Sequence, residues 1–194
     1  HKSFMPDTGS AARQATDMIR DAEILTGLVE TLRRFVRERL MPAETMVEET
    51  NTIPAALLDE MRALGLFGMS IPEAYGGLGL TMEEEVMVTL ELGYTSAAFR
   101  SVFGTNNGIG AQGIIVDGTA AQKEYWLPRM ASGQVIGSFA LTEPDVGSDA
   151  GSVKTTAVLD GDHYVLNGTK RYITNAPIAN VFTLMARTGG PGPA

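Results

Sequence analysis

Gly133-Gln-Val-Ile-Gly-Ser-Phe-Ala-Leu-Thr-Glu-Pro-Asp-Val-Gly-Ser-Asp149 is the stretch at which the chain changes its period. Upstream, apolar residues recur at three- and four-residue spacing; downstream they fall in short alternating runs bounded by Gly, Pro, Asn and Asp. The chain therefore reads as α+β, with helices first and strands afterwards. Strands are expected over 135–141, 153–159, 163–166, 170–174 and 181–186. Asp160-Gly-Asp162 and Asn167-Gly168 are turn signals, the second suited to a tight hairpin with positive φ at both central residues.

Working back from Gly133, Thr119-Ala-Ala-Gln122 has capping-box spacing for a helix carrying Tyr125, Trp126 and Leu127, whose last turns Pro128 is expected to disturb. The segment 96–116 is rich in small residues, which permits close approach to a neighbour or ligand, and Asp117-Gly118 ends it. Thr81-Met-Glu-Glu84 is a second capping box. Leu25, Leu28, Val29, Leu32, Phe35, Val36 and Leu40 form one face of an amphipathic helix over 24–41, stopped by Pro42. A second helix opens at Thr52, takes Pro54 into its first turn and ends at Gly65. This organisation predicts a tail over 1–23, a helical domain over 24–133 and the beginning of a β domain over 134–194. The start from His1 to Ser10 is polar and Gly/Pro-containing rather than signal-like, with His1 resembling a tag remnant, and the Gly/Pro-rich end from Thr188 reads as an interrupted surface loop of a longer chain.

Composition removes several function classes. Fifteen Lys and Arg against 23 Asp and Glu give a net charge of 15 − 23 = −8, which opposes binding to nucleic acid or an anionic membrane surface. The absence of cysteine fits a reducing, cytoplasmic compartment and excludes thiolate metal sites and cysteine nucleophiles. Apart from His1, only His163 could serve a Ser/His/Asp triad or a histidine metal site. No apolar run approaches the roughly 18–20 residues that cross a bilayer, so no membrane insertion is expected.

Three segments invite a ligand reading. Phe139 to Asp149 leaves a strand at Thr142 and turns through Pro144 and Gly147 to Ser148, exposing hydroxyls and backbone N–H groups; it reads as a structural turn or as a phosphate- or heterocycle-binding loop. Glu143 and Asp149 lack a third ligand for a metal and read as loop-structuring carboxylates. In 170–174, strand alternation would put Lys170, Tyr172 and Thr174 on one face, either to stack against a planar cofactor or as ordinary surface. The glycine loop over 75–80 matches neither nucleotide fingerprint and reads as a backbone turn.

Four motifs in this order resemble the acyl-CoA dehydrogenase family: Ile71-Pro-Glu-Ala-Tyr-Gly-Gly-Leu-Gly79, Gln122-Lys-Glu-Tyr-Trp-Leu-Pro-Arg-Met-Ala-Ser-Gly133, Ala140-Leu-Thr-Glu-Pro-Asp-Val-Gly-Ser-Asp149 and Asn167-Gly-Thr-Lys-Arg-Tyr-Ile-Thr-Asn175. The resemblance runs from about Leu28 to Arg187 and implies an N-terminal all-α domain, a barrel-type middle β domain and a C-terminal helical domain outside this sequence. It also implies FAD, held by Phe139, Ala140, Leu141, Thr142, Gly147, Ser148, Tyr172, Ile173 and Thr174, with Ser148 also facing the CoA arm. Tyr172 stands where tryptophan is frequent in the family, and its ring can still stack.

The implied reaction is α,β-dehydrogenation of an acyl-CoA thioester, with electrons passed to an electron-transfer flavoprotein. The family's catalytic glutamate has no counterpart here, so no catalytic residue is assigned, and Glu83, Glu84, Glu85 and Glu91 read as helix-start and helix-surface charges. Phe99-Arg-Ser101 resembles the segment of glutaryl-CoA dehydrogenases that meets a distal carboxylate, so Arg100 and Ser101 are candidate substrate contacts for a dicarboxylyl-CoA; a surface or salt-bridge role for Arg100 is the other reading. An acyl-CoA oxidase, a reduced-flavin monooxygenase of the same fold and a non-catalytic structural subunit are the alternative functions. The family implies a homodimer or homotetramer.

Overall fold

The computed structural model describes residues 20–190, so most of the expected tail, His1 included, and the last four residues lie outside the described part. Helix α1, Ala22–Phe35, starts two residues before the expected Ile24 because Asp21 caps it, accepting from Glu23 N and Ile24 N at 3.0 Å each. It buries Leu25, Leu32 and Phe35, and its Arg33 grips Glu91 through two nitrogens. Pro42 does not stop the chain as expected. A π-turn, Val36–Leu40, and a 3-10 turn, Met41–Ala43, carry the helical path past it into α2, Glu44–Thr50. The wider and tighter turns absorb the residue that has no N–H to give.

Asn51, at φ 51°, ends α2. Pro54 proves to be the cap rather than a first-turn residue of α3, Ala55–Ala63. Next come α4, Met82–Leu92, and α5, Ala97–Gly104, then α6, Gln112–Asp117, and α7, Ala120–Ala131. Both capping boxes form in full: Thr81 with Glu84, and Thr119 with Gln122. In the second, Thr119 N donates to Gln122 Oε1 at 2.8 Å while Gln122 N donates to Thr119 Oγ1 at 3.2 Å. Thr119→Ala should therefore cost about 1 kcal/mol, read as a lower midpoint of urea unfolding in the full-length protein; an unchanged midpoint would contradict this role. Pro128 sits inside α7 without breaking it, since the helix runs on to Ala131.

The core forms where α1, α3, α4 and α5 meet, around Leu32, Leu40, Met61, Leu66, Phe67, Val88, Phe99 and Phe103. Phe67 and Phe103 pack edge to face with centroids 6.0 Å apart. A second cluster of Ile71, Ala111, Leu127, Met130 and Val135 leads toward the strands. The glycine loop is a backbone turn, as expected: Leu78 N, Gly79 N and Leu80 N donate to the carbonyls of Gly68, Ile71 and Met69. A Cβ on Gly77 would lie 2.0 Å from the Ile71 carbonyl oxygen, so only glycine fits there.

Four strands follow: β1, Gly137–Ala140, and β4, Val181–Leu184, are shorter than expected; β2, Thr156–Asp160, is displaced; and β3, His163–Asn167, covers its expected span and one residue more. β1 and β4 are parallel, with Gly137 opposite Val181, and β2 and β3 form an antiparallel hairpin. No closed barrel is present among the described residues, which hold two two-stranded sheets. The hairpin turns at Gly161, φ 64°, and not at Asn167-Gly168. Gly168 instead presses on Thr155, where an added Cβ would come within 2.3 Å of Oγ1.

Buried asparagines join the helices to β1. Asn106 donates to the carbonyls of Met130 and Val135 and accepts from Gly137 N at 2.7 Å; Asn107 donates to Leu66 O and accepts from Ser70 N. All three amide positions of Asn106 bond to chain that leads into the strand, which fixes where β1 begins.

Candidate functional site

The chain leaves β1 at Leu141 and enters a turn whose centre is a buried carboxylate. Glu143 accepts from Lys154 N at 2.7 Å, from Thr155 N at 2.8 Å, from Thr155 Oγ1, and from Lys170 Nζ at 2.9 Å. Burial acts to raise this carboxyl, but the four donors outweigh it and hold it down at about 2. Lys170 Nζ also donates to Leu141 O at 2.9 Å, and Arg171 N donates to Thr142 O at 2.8 Å. The turn after β1 and the segment 170–174 are thereby bound side by side. The expectation for Glu143 as a loop-structuring group holds, and Asp149 likewise accepts from Ser152 Oγ. Among the described residues no three His, Asp or Glu side chains are grouped to hold a metal.

The strand expected over 170–174 does not form. Tyr172 has φ 59° and Asn175 φ 64°, left-handed backbone that a pleated strand cannot contain. Lys170 turns inward, its side chain 10% exposed, while the Tyr172 ring is 78% exposed with the Arg171 guanidinium 4.6 Å from its centroid. Lys170, Tyr172 and Thr174 therefore do not share one face: Lys170 belongs to the Glu143 pair, leaving the tyrosine and threonine to solvent.

The sequence-predicted residues fall into three places. Phe139 and Leu141 line a cavity of about 450 Å³ together with Val153, Met185 and Arg187. Ala140 between them is buried and accepts from Met185 N through its carbonyl. Arg100, Ser101 and Thr174 line a different cavity, of about 290 Å³. None of the others lines either cavity: Thr142 is half-buried, Ile173 follows Tyr172, and Gly147 and Ser148 occupy an exposed turn. The hydroxyls of Thr142, Ser148 and Thr174 have no hydrogen-bond partner among the described residues, and a Cβ on Gly147 would meet nothing within 4 Å. Free hydroxyls, open backbone and an exposed ring suit the edge of a planar heterocycle.

In the smaller cavity the guanidinium of Arg100 lies against Gly104, where a Cβ would touch it at 3.4 Å. It forms no ion pair among the described residues. Ser101 Oγ donates back to Ala97 O at 2.8 Å, within its own helix. Glu85 lines the same cavity, and reading it as a helix-start charge missed this. Its burial pushes the carboxyl up, and the positive charge of Arg100 offsets part of that push. The three consecutive glutamates give no local signal of this difference: Glu84 completes the capping box and is buried, whereas Glu85, one residue on, points elsewhere. Glu91 pairs with Arg33.

The family model of the acyl-CoA dehydrogenase N-terminal domain matches residues 24–134, and that of the middle domain matches residues 138–194. The chain belongs to the acyl-CoA dehydrogenase family. Among its relatives in this family of oxidoreductases, (2S)-methylsuccinyl-CoA dehydrogenase of Cereibacter sphaeroides is 41% identical over 167 residues, covering 86% of this chain and 30% of the relative. The crystal structure of glutaryl-CoA dehydrogenase from Mycobacterium smegmatis superposes with a TM-score of 0.79 at 37% identity, over 87% of this chain and 43% of that one. An acyl-CoA dehydrogenase from Bacillus anthracis, solved in complex with FAD, gives a TM-score of 0.77 at 34% identity over 87% of this chain and 29% of that one. The chain thus spans less than half the length of these acyl-CoA dehydrogenases. No helix among the described residues is long and apolar enough to cross a membrane.

Proposed function

We propose that the full-length protein is an FAD-dependent dehydrogenase that desaturates an acyl-CoA thioester carrying an ω-carboxylate and passes the electrons to an electron-transfer flavoprotein. The observation that carries this reading is Arg100, exposed and without an ion pair among the described residues, on the same cavity as Thr174. FAD, when bound, supplies the hydride acceptor. Thr142 and Thr174 would hold its edge through hydroxyls that lack another partner, the Tyr172 ring would pack against it, and Ser148 would meet the CoA arm. Arg100 would bind the distal carboxylate through its fork of donors. Glu85 shares this cavity; burial pushes its carboxyl up and the charge of Arg100 offsets part of that push. Family membership also supports assembly as a homodimer or homotetramer. No residue of this sequence takes the role of proton-abstracting base.

The test is anaerobic mixing of the full-length protein with a panel of acyl-CoAs while the flavin absorbance is followed. Bleaching by ω-carboxylated thioesters ahead of plain ones is expected. A protein that binds no FAD, or whose flavin no acyl-CoA reduces, would overturn the proposal.

A further inference from the structure

Asn175 lies just beyond the residues assigned to cofactor or substrate, and its contacts cross between them. Its side-chain amide reaches Ser101 O at 2.9 Å, Val102 O at 3.2 Å and Thr105 Oγ1 at 2.8 Å, all at the C-terminal turn of α5. The last carbonyls of a helix have no partner inside it, and here one side chain from 70 or more residues away supplies the donor. The preceding residue is pinned on the opposite side: Thr174 O accepts from Ser138 Oγ, on β1, at 2.6 Å. Two successive residues thus tie β1 to α5, and the small cavity lined by Thr174, Arg100 and Ser101 opens at this junction.

The residue type follows from two requirements. The backbone at 175 is left-handed, φ 64°, which asparagine tolerates better than most residues with a Cβ. The reach to two adjacent helix carbonyls needs a short side chain with two N–H donors, which aspartate lacks. Glycine would supply the backbone alone. A helix end near the surface could be finished by water; bonding it to the residue after Thr174 adds a fixed distance across the cavity.

We infer that Asn175 is a positioning residue for substrate selection, setting the span between the flavin edge at Thr174 and the side chain of Arg100 and so the length of acyl chain that fits between them. This rests on the proposed function. The variants are Asn175→Gly, which keeps the backbone and removes the amide, and Asn175→Asp, which keeps the shape and removes the donors. In the full-length protein each is assayed with ω-carboxylated acyl-CoAs differing by one methylene, and the FAD dissociation constant of each apoprotein is measured by flavin fluorescence. Both variants should raise KM for the preferred length by up to about fivefold, change kcat by less than about threefold and flatten the preference among lengths, because a displaced helix misplaces the distal contact. FAD affinity should stay within about twofold of wild type, as the flavin-facing hydroxyls are not part of the clamp.

Unchanged KM and unchanged length preference in both variants would overturn the inference. So would a loss of FAD affinity that lowers activity equally for every substrate, since Asn175 would then shape only its own loop. A wild-type protein whose flavin no acyl-CoA bleaches is a separate result: it removes the functional proposal itself, and this inference with it.

Discussion

Glu143→Gln is expected to destabilise the full-length protein by about 3–5 kcal/mol, because it leaves the Lys170 ammonium buried without its anion. The glutamine keeps one acceptor for the N–H groups of Lys154 and Thr155 but faces the ammonium with no charge. Lys170→Met should cost less, since Glu143 would retain its three other donors. The double variant should cost less than the two single losses added together, and strict additivity would show that the pair does not interact.

The same carboxylate gives the effect a pH window. Its folded-state value of about 2 lies below the usual 4.5, so the stabilisation is fully present above pH 4.5 and is lost as the pH falls toward 2. Urea midpoints of wild type and Glu143→Gln should therefore converge on acidification through that range. A gap that persisted unchanged to the acid end would mean that the loss came from shape rather than charge.

Arg100→Met should raise KM for an ω-carboxylated acyl-CoA by roughly fivefold, the loss of about 1 kcal/mol that fits a charge pair made by an exposed side chain. Plain acyl-CoAs of similar length should be affected only weakly, because methionine fills much of the same space without the charge. The measurement is the ratio of KM values for the two substrate classes in variant and wild type. Equal effects on both would place Arg100 in packing against Gly104 and return it to the surface-residue reading.

Much of the helical part was legible because its signals are local. Thr81 with Glu84 and Thr119 with Gln122 need only residues three apart to declare a helix start, and both boxes close as read. The change of period after Gly133 likewise located β1. The segment 170–174 was misread because alternation says nothing about φ, and because the partner that draws Lys170 inward lies 27 residues away at Glu143. Asn167-Gly168 is a strong local turn signal, yet the close packing of Gly168 on Thr155 gives that dipeptide another use. The candidate site was legible as two motifs; their distribution over two cavities, and the place of Glu85 in one of them, arise from long-range packing that short motifs do not encode.

The π-turn at Val36–Leu40 has a consequence for how this region tolerates insertions and deletions. A π-turn is in effect one residue added to an α-helix, and each residue turns the helix by roughly 100°, so the added residue decides which way α2 faces. Facing as it does, Glu44 at the head of α2 accepts from Ser96 N at 2.7 Å and Thr95 Oγ1 at 2.8 Å, holding the start of α5. Removing one residue from 36–40 would swing that carboxylate away from Ser96 while leaving every side chain of the proposed site in the sequence. The aim of Arg100 is thus written partly in a count of residues some sixty positions upstream, where neither composition nor motif would lead one to look.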